Sequence, residues 1–189
     1  IYKAKRKTNR EESPLDWSEF FRLINMVRDE IKDHFQYPVI QVNNAEADDV
    51  IATLTKQTQE FGKHEPVVIV SADKDFLQLQ QYGNVKQYSP NKKGFITVDD
   101  PRFHQFDHVC RGCGTDGVPN TLSADNCIVE GIRQSPMRKK KIQEWYENRD
   151  DLESVMGTEV YRNYQRNQTL INFDFIPDNI SNEILEVYN

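Results

Sequence analysis

The sequence predicts an α/β protein, with a parallel sheet flanked by helices and then a smaller helical lobe. Three observations predict it. Helical periodicity alternates with short β-branched runs in α-β-α-β-α order, which a sheet with helices on its faces satisfies. Acidic clusters stand where two strands hand over to the next helix, as Glu46-Ala-Asp48-Asp49 and Asp73-Lys-Asp75. Beyond Asp99 the strand signals vanish and glycines gather.

Residues 1–12 are polar and basic, and read as a mobile segment or the fraying end of a helix. From Asp16 to Phe35 the apolar residues Trp17, Phe20, Phe21, Ile24, Val27, Ile31 and Phe35 recur every three or four positions. That is an amphipathic helix, with Ser13 or Asp16 as its N-cap. Tyr37 to Val42 reads as a short strand. Ala45 to about Phe61 is helical, with Val50, Ile51 and Leu54 on the inner face and Gly62 past its end. Pro66 to Ser71 contains Val67-Val-Ile-Val70, a buried strand too short and too β-branched for a helix. Asp75 to Gln81 is a short helix ending near Gly83. Asn84–Tyr88 and Gly94–Val98 form a hairpin, with Pro90-Asn-Lys-Lys-Gly94 as its turn. The lobe boundary falls near residues 99–101, dividing an α/β core (1–98) from a helical lobe (99–189).

Composition excludes several classes. Charged residues make up 29% and apolar residues 37% of 189, ordinary for a soluble domain. No apolar run approaches the ~20 residues that span a bilayer, and no signal-peptide pattern opens the chain. The opening Ile1 suggests an excerpt of a longer polypeptide. Three cysteines without secretory context are expected to be reduced thiols in a cytosol. The net charge of −6 speaks against nucleic acid, but its distribution does not. Lys3, Lys5, Arg6, Lys7 and Arg10 form one basic block, and Arg133, Arg138, Lys139, Lys140 and Lys141 another. A solvated surface would account for either block equally well.

The carboxylates carry the chemistry. Acidic groups at the end of a buried strand repel one another and lose hydration unless a cation joins them. Hard divalent ions such as Mg²⁺ want such oxygen donors, and open α/β folds place ligands at this sheet edge. The pattern points to phosphoryl-transfer chemistry. Helix dipoles would favour Asp48 and Asp49 in a first turn anyway, and Asp75 could simply cap its helix. The segment Arg111-Gly-Cys-Gly-Thr-Asp-Gly-Val-Pro-Asn120 is either a tight interhelical turn or a phosphate-facing loop, and a DNA-gripping hairpin is both. His104, His108, Cys110 and Cys113 offer a rival set of zinc ligands, at a spacing unlike standard modules. Tyr2, among the first basic residues, is a candidate to stack on a base.

Ala-Glu-Ala-Asp-Asp-Val-Ile-Ala (45–52), Ile-Val-Ser-Ala-Asp-Lys-Asp-Phe (69–76) and Gly-x-Gly-Thr-Asp-Gly-Val-Pro-Asn (112–120) resemble the ordered motifs of the flap endonuclease and 5′-nuclease superfamily. Glu-Glu-Ser-x-x-Asp-Trp (11–17), Asn-Val-Lys-Gln-Tyr-Ser-Pro (84–90) and Phe-Asp-Phe-Ile-Pro-Asp-Asn-Ile (173–180) are similar to its phage branch, and the resemblance covers nearly the whole chain. It implies a PIN-like fold and a nuclease with two Mg²⁺ sites, where Mn²⁺ substitutes. Glu46, Asp48, Asp73 and Asp75 resemble the first-metal carboxylates and their shell, and Asp116 the last acidic residue of the third motif. Gly112, Gly114, Gly117, Val118 and Asn120 fall in the stretch resembling a helix–three-turn–helix that grips duplex backbone, with Arg138 and Lys139 as further DNA contacts. The block at 3–10 resembles the arch that handles the single-stranded 5′ end.

The implied activity is 5′→3′ exonuclease and flap endonuclease action with ribonuclease H activity. It would remove RNA primers and 5′ flaps during phage replication in the host cytoplasm. The implied partners are flapped or forked duplex and RNA–DNA hybrid, a phage single-strand-binding protein and a sliding clamp; the chain is expected to be monomeric, with no membrane role. Two departures weigh against full activity. The family has Asp where this chain has Cys113, and a thiol is a poor Mg²⁺ ligand. It also has two further carboxylates upstream of the part seen here. A catalytically impaired DNA-binding module is therefore an open alternative, and a zinc-dependent interaction domain a more remote one.

Overall fold

The computed structural model describes residues 2–60 and 64–189, with the side chains of 5, 7 and 8 outside the description. The basic opening forms helix α1 (Ala4–Glu11), not a mobile tail. Helix α2 (Trp17–His34) starts at Asp16, whose carboxylate accepts from the amides of Ser18 and Glu19. Helix α3 (Ala47–Gln57) ends before Phe61, and the expected stop at Gly62 lies outside the described residues.

Strand β1 (Val67–Val70) runs into a 3₁₀ helix (Asp75–Gln81), and β2 (Val85–Ser89) and β3 (Gly94–Ile96) follow. The sheet order is β1-β2-β3. β1 pairs parallel with β2, Val67 opposite Val85, as the α-β-α-β order requires. β2 and β3 form the expected antiparallel hairpin, Ser89 opposite Gly94.

One expectation fails here. The expected strand at 37–42 does not form: these residues join no described sheet. A β-run becomes a strand only through a partner's backbone, and Pro38 has no N–H to give one. The apolar stripe of α2 is real but stays open, with Phe20 and Phe21 each more than two-fifths exposed. Periodicity locates an apolar face and says nothing of what covers it.

The second lobe is helical: α4 (Pro101–Arg111), α5 (Lys139–Glu147), α6 (Leu152–Met156), α7 (Thr158–Ile171) and α8 (Asp178–Tyr188). Its core gathers Phe106, Val109, Cys110, Val118, Ile142, Trp145 and Tyr164. A second cluster joins Ala52, Ile69, Phe76, Leu79 and Val85 beneath the sheet. Phe173, from the end of the chain, belongs to this second cluster and packs on Phe76 at 5.9 Å between ring centroids. Helix α8 then lies against α3. The lobes are thus joined at both ends of the helical segment.

Candidate active site

Three separate stretches bring carboxylates to one cleft of about 510 Å³: Glu46 and Asp48 at the start of α3, Asp73 and Asp75 after β1, and Asp116 after α4. Each is positioned by local chemistry. Glu46 and Asp49 form a capping box, the Glu46 amide donating to Asp49 Oδ2 at 2.8 Å. Asp49, though it also lines the cleft, is thereby engaged in capping, while Asp48 takes no part in the box. After β1, Ser71 Oγ accepts from the Asp73 amide (3.1 Å) and Asp73 Oδ1 from the Asp75 amide (3.0 Å). The buried Gln87 donates to the carbonyls of Ser71 and Asp73, fixing the loop from beneath. Asp75 does not cap the 3₁₀ helix, because Lys74 holds that position.

The electrostatics are those of crowded like charges. Burial, then Asp73, Asp75 and Glu46, push the Asp48 carboxyl up to about 6. Burial also raises Asp75; the nearby His108 pulls it back down, and Asp73 and Asp116 raise it further. His108 Nδ1 lies 3.3 Å from Asp75 Oδ1. Two cations answer the rest of the charge: Lys3, just before α1, binds both carboxylate oxygens of Glu46, and Arg6 of α1 pairs with Asp116. The Lys3 amide also donates to the Asp116 carbonyl at 2.7 Å. Tyr2 lines the cleft with the Lys3 ammonium 4.9 Å from its ring centroid.

The donor set suits a hard dication at Glu46, Asp48, Asp73 and Asp75, where oxygen is the only donor element. As they stand, no three Asp, Glu, His or Cys side chains among the described residues come close enough together to hold an ion. The part of the cleft near Asp116 fits less well. Cys113 lines it, its Sγ 3.4 Å from Asp116 Oδ2 and 3.0 Å from Thr115 Oγ1, and burial raises this thiol. A neutral thiol is a poor substitute for an oxygen ligand to Mg²⁺.

Other expected site residues scatter. Arg10 leaves the cleft and lies over Phe21, 5.8 Å from its ring centroid. Lys5 and Lys7 have side chains outside the description. Arg138 and Lys139 are exposed where α5 begins. Gly112 has φ +68°, and a Cβ there would sit 2.6 Å from the Pro119 carbonyl oxygen, so only glycine fits. Gly117 is also left-handed at φ +76°, but Gly114 needs neither special φ nor extra room. The expectation that Val118 and Asn120 touch DNA gives way. Val118 is buried at 2% exposure, and Asn120, at 6%, uses its amide on Ser135, Leu122 and Ser123.

The zinc tetrad also falls. Cys110 is fully buried in the helical core, Cys113 faces the cleft, and the ring centroids of His104 and His108 are 6.5 Å apart. Residues that share a sequence stretch here point into different environments.

Sequence reasoning missed two features. The glycine loop is latched from α7: Asn167 donates to the carbonyls of Val109 (2.8 Å) and Pro119 (2.9 Å), and Arg166 to Pro119 at 3.1 Å. The cleft also has an apolar wall from residues 170–177, including Leu170, Phe175 and Ile176. No charge or periodicity marks that wall in the sequence.

Comparison with known proteins agrees with this architecture. The family model for the N-terminal, resolvase-like domain of 5′-3′ exonucleases matches residues 2–105, and the model for the C-terminal part of T4 RNase H matches 104–189. Ribonuclease H of Enterobacteria phage T4 is 33% identical over 193 residues, covering 100% of this chain and 63% of that protein. The chain thus spans less than two thirds of that relative. DNA polymerase I of Rhizobium leguminosarum is 37% identical over 94 residues, 50% of this chain and 9% of the polymerase. Among solved structures, a mutant T5 5′-exonuclease superposes with a TM-score of 0.59 at 18% identity, over 90% of this chain and 76% of that one. The T5 D15 flap endonuclease, a bacteriophage protein solved with DNA and metal ions, gives 0.57 at 17% identity, over 98% and 76%. At such identities the likeness is one of fold. The two family models abut at residues 104–105 and between them account for all but the first residue, so this chain belongs to the 5′-3′ exonuclease family.

Proposed function

We propose that the chain forms the catalytic cleft of a divalent-metal-dependent 5′-nuclease that hydrolyses phosphodiesters at the 5′ ends of flapped, forked or RNA–DNA hybrid duplexes. One observation carries the reading: six carboxylates from three distant chain segments line one cleft that also receives Lys3, just before α1, and Arg6 of α1. Glu46, Asp48, Asp73 and Asp75 would hold Mg²⁺ or Mn²⁺, and Asp116 would serve a second ion. When bound, such ions supply an activated water and charge neutralisation at the scissile phosphate. Lys3 and Arg6 are the groups able to bind a phosphate oxygen directly once released from Glu46 and Asp116. The Gly112–Asn120 loop and the exposed Arg138 and Lys139 would grip duplex backbone, which gives salt-sensitive binding without sequence reading.

In our reading the setting is removal of RNA primers and 5′ flaps in phage replication, in the host cytoplasm, as a monomer alongside a single-strand-binding protein and a sliding clamp. No described helix is long and apolar enough to cross a membrane.

Cys113 favours a second reading, in which the Asp116 half of the site binds Mg²⁺ poorly and the chain grips forks better than it cuts them. Cleavage of a 5′-labelled forked duplex in Mg²⁺ and in Mn²⁺, with a chelator control, tests both. The nuclease reading expects metal-dependent cutting that rises on Cys113→Asp and disappears on Asp73→Asn. Fork binding without cutting by the given chain, with cutting gained on Cys113→Asp, supports the second reading. No binding and no cutting refutes both.

A further inference from the structure

The carboxylates and cations of the cleft are suited to a phosphate, but they would take one from any phosphoryl compound. The apolar wall is what they leave unexplained. Phe173 and Phe175 stand two residues apart in one 3₁₀ turn (Phe173–Phe175) and both line the cleft, yet they differ in exposure and in partners. Phe173 is 8% exposed and packs on Phe76. Phe175 lines the cleft, is 49% exposed, and has no ring or cation partner among the described residues. Leu170, 40% exposed, lines the same cleft. Of the other cleft aromatics, Phe173 is taken up by Phe76 and Tyr2 already has the Lys3 ammonium against its ring.

The turn that presents Phe175 is braced to the carboxylate loop. Buried Gln78 donates to the carbonyls of Asp75 (2.9 Å) and Ile171 (3.1 Å), and its Oε1 accepts from the Phe173 amide (3.1 Å). From α3, Lys56 donates to the Phe173 carbonyl and pairs with Asp174, both at 2.8 Å. Asn172 Oδ1 accepts from the Asp174 amide (2.9 Å), and the Phe175 amide donates to the Asn172 carbonyl (3.0 Å). The backbone under Phe175 is therefore fixed relative to Asp75, while its ring is open to the cleft. A fixed, solvent-facing aromatic beside a phosphate site is a pre-organised surface for a planar apolar ligand.

We propose that Phe175 is a base-stacking platform, on which the unpaired nucleobase next to the cleaved phosphate lies, with Leu170 at its border. The proposal rests on the nuclease reading and adds to it the group that holds the nucleotide's base. Stacking uses the π-face that every base has, so the platform fixes the position of the 5′-terminal nucleotide without reading its identity. Phe175 is a positioning residue here, and Lys3, Arg6 and the carboxylates keep the phosphate.

The test uses a forked duplex with 2-aminopurine as the unpaired nucleotide at the junction, in chelator so that nothing is cut. Fork binding is read by anisotropy and stacking by quenching of the 2-aminopurine. The given chain is expected to bind and quench. Phe175→Leu, which keeps an apolar side chain, and Phe175→Ala are expected to lose the quench and about five- to tenfold in affinity, while Phe175→Tyr restores both. Unchanged melting temperatures show that the variants fold. Equal quenching by the given chain and Phe175→Leu would overturn the platform while leaving the nuclease reading in place. Absence of fork binding by the given chain would overturn the nuclease reading, and the platform with it.

Discussion

Asp48 offers a direct way to weigh function against stability in this cleft. Its carboxyl is pushed up to about 6, from an ordinary 3.8, by burial and by the Asp73, Asp75 and Glu46 carboxylates. A carboxyl raised in the folded state holds its proton more tightly there than in the unfolded chain. Its contribution is thus favourable below the ordinary value and is lost as pH rises through about 6. At neutral pH without metal, Asp48 destabilises the fold. The full shift of about two units corresponds to about 3 kcal/mol, at 1.4 kcal/mol per unit. Asp48 keeps some access to water, and screening cuts this to about 1 kcal/mol.

Asp48→Asn should therefore stabilise the metal-free chain at pH 7 by about 1 kcal/mol, or roughly 2–4 °C in Tm for a chain of this size. The gain should shrink toward zero below about pH 4, where Asp48 is protonated in both states. Mg²⁺ should reverse the order. A ligand bound only by the folded state adds about 2.7 kcal/mol at a hundred times its Kd, and the variant should collect much less of this. Scanning calorimetry in chelator and in Mg²⁺, at pH 4 and pH 7, gives all four comparisons. A variant less stable than the parent in chelator at pH 7, or equally stabilised by Mg²⁺, would refute the reasoning.

Three further substitutions probe the supports of the site. Gly112→Ala forces a Cβ into a left-handed turn against the Pro119 carbonyl, and should cost about 2–3 kcal/mol by urea unfolding. Asn167→Ala leaves the carbonyls of Val109 and Pro119 without their buried donor; the same measurement should show a loss of about 2–3 kcal/mol and weaker fork binding. Gln78→Leu, similar in bulk, strands the Phe173 amide and the carbonyls of Asp75 and Ile171, and should cost about 2–4 kcal/mol; hydrogen exchange at residues 172–176 should speed up more than at α5.

What could be read in advance was what local chemistry decides. Asp16 caps α2 because a short acidic side chain before an apolar period can reach the first free amides. The Pro90–Gly94 turn and its flanking strands define the β2–β3 hairpin without help from elsewhere. The Asp73–Asp75 cluster reaches the cleft because it follows β1 at the edge where the parallel β1–β2 pair ends. What could not be read depends on a partner distant in sequence. The segment at 38–42 has the residues of a strand and no ladder to join. Val118 and Asn120 carry no mark of burial, since it is α7 and Ser135 that enclose them. Asp48 and Asp49 are identical neighbours, and only the capping box separates their roles.

The carboxylate cleft is a joint product of both hydrophobic clusters. Asp116 reaches it from the glycine loop, which α7 latches through Arg166 and Asn167. The same helix ends at Ile171, and the chain at once turns back to place Phe173 under the sheet and Phe175 in the cleft. Gln78 ties that turn to Asp75, and Lys56 ties it to α3, whose first turn carries Asp48. A disturbance of α7 thus reaches the carboxylates by two routes, through the loop that carries Asp116 and through the turn bonded to Gln78. Since carboxylates at this spacing repel one another without an added cation, their approach depends on these neutral amide braces more than on any attraction among themselves. This is why buried Gln78, Gln87 and Asn167, none of them an acid or a base, carry so much of the site's geometry.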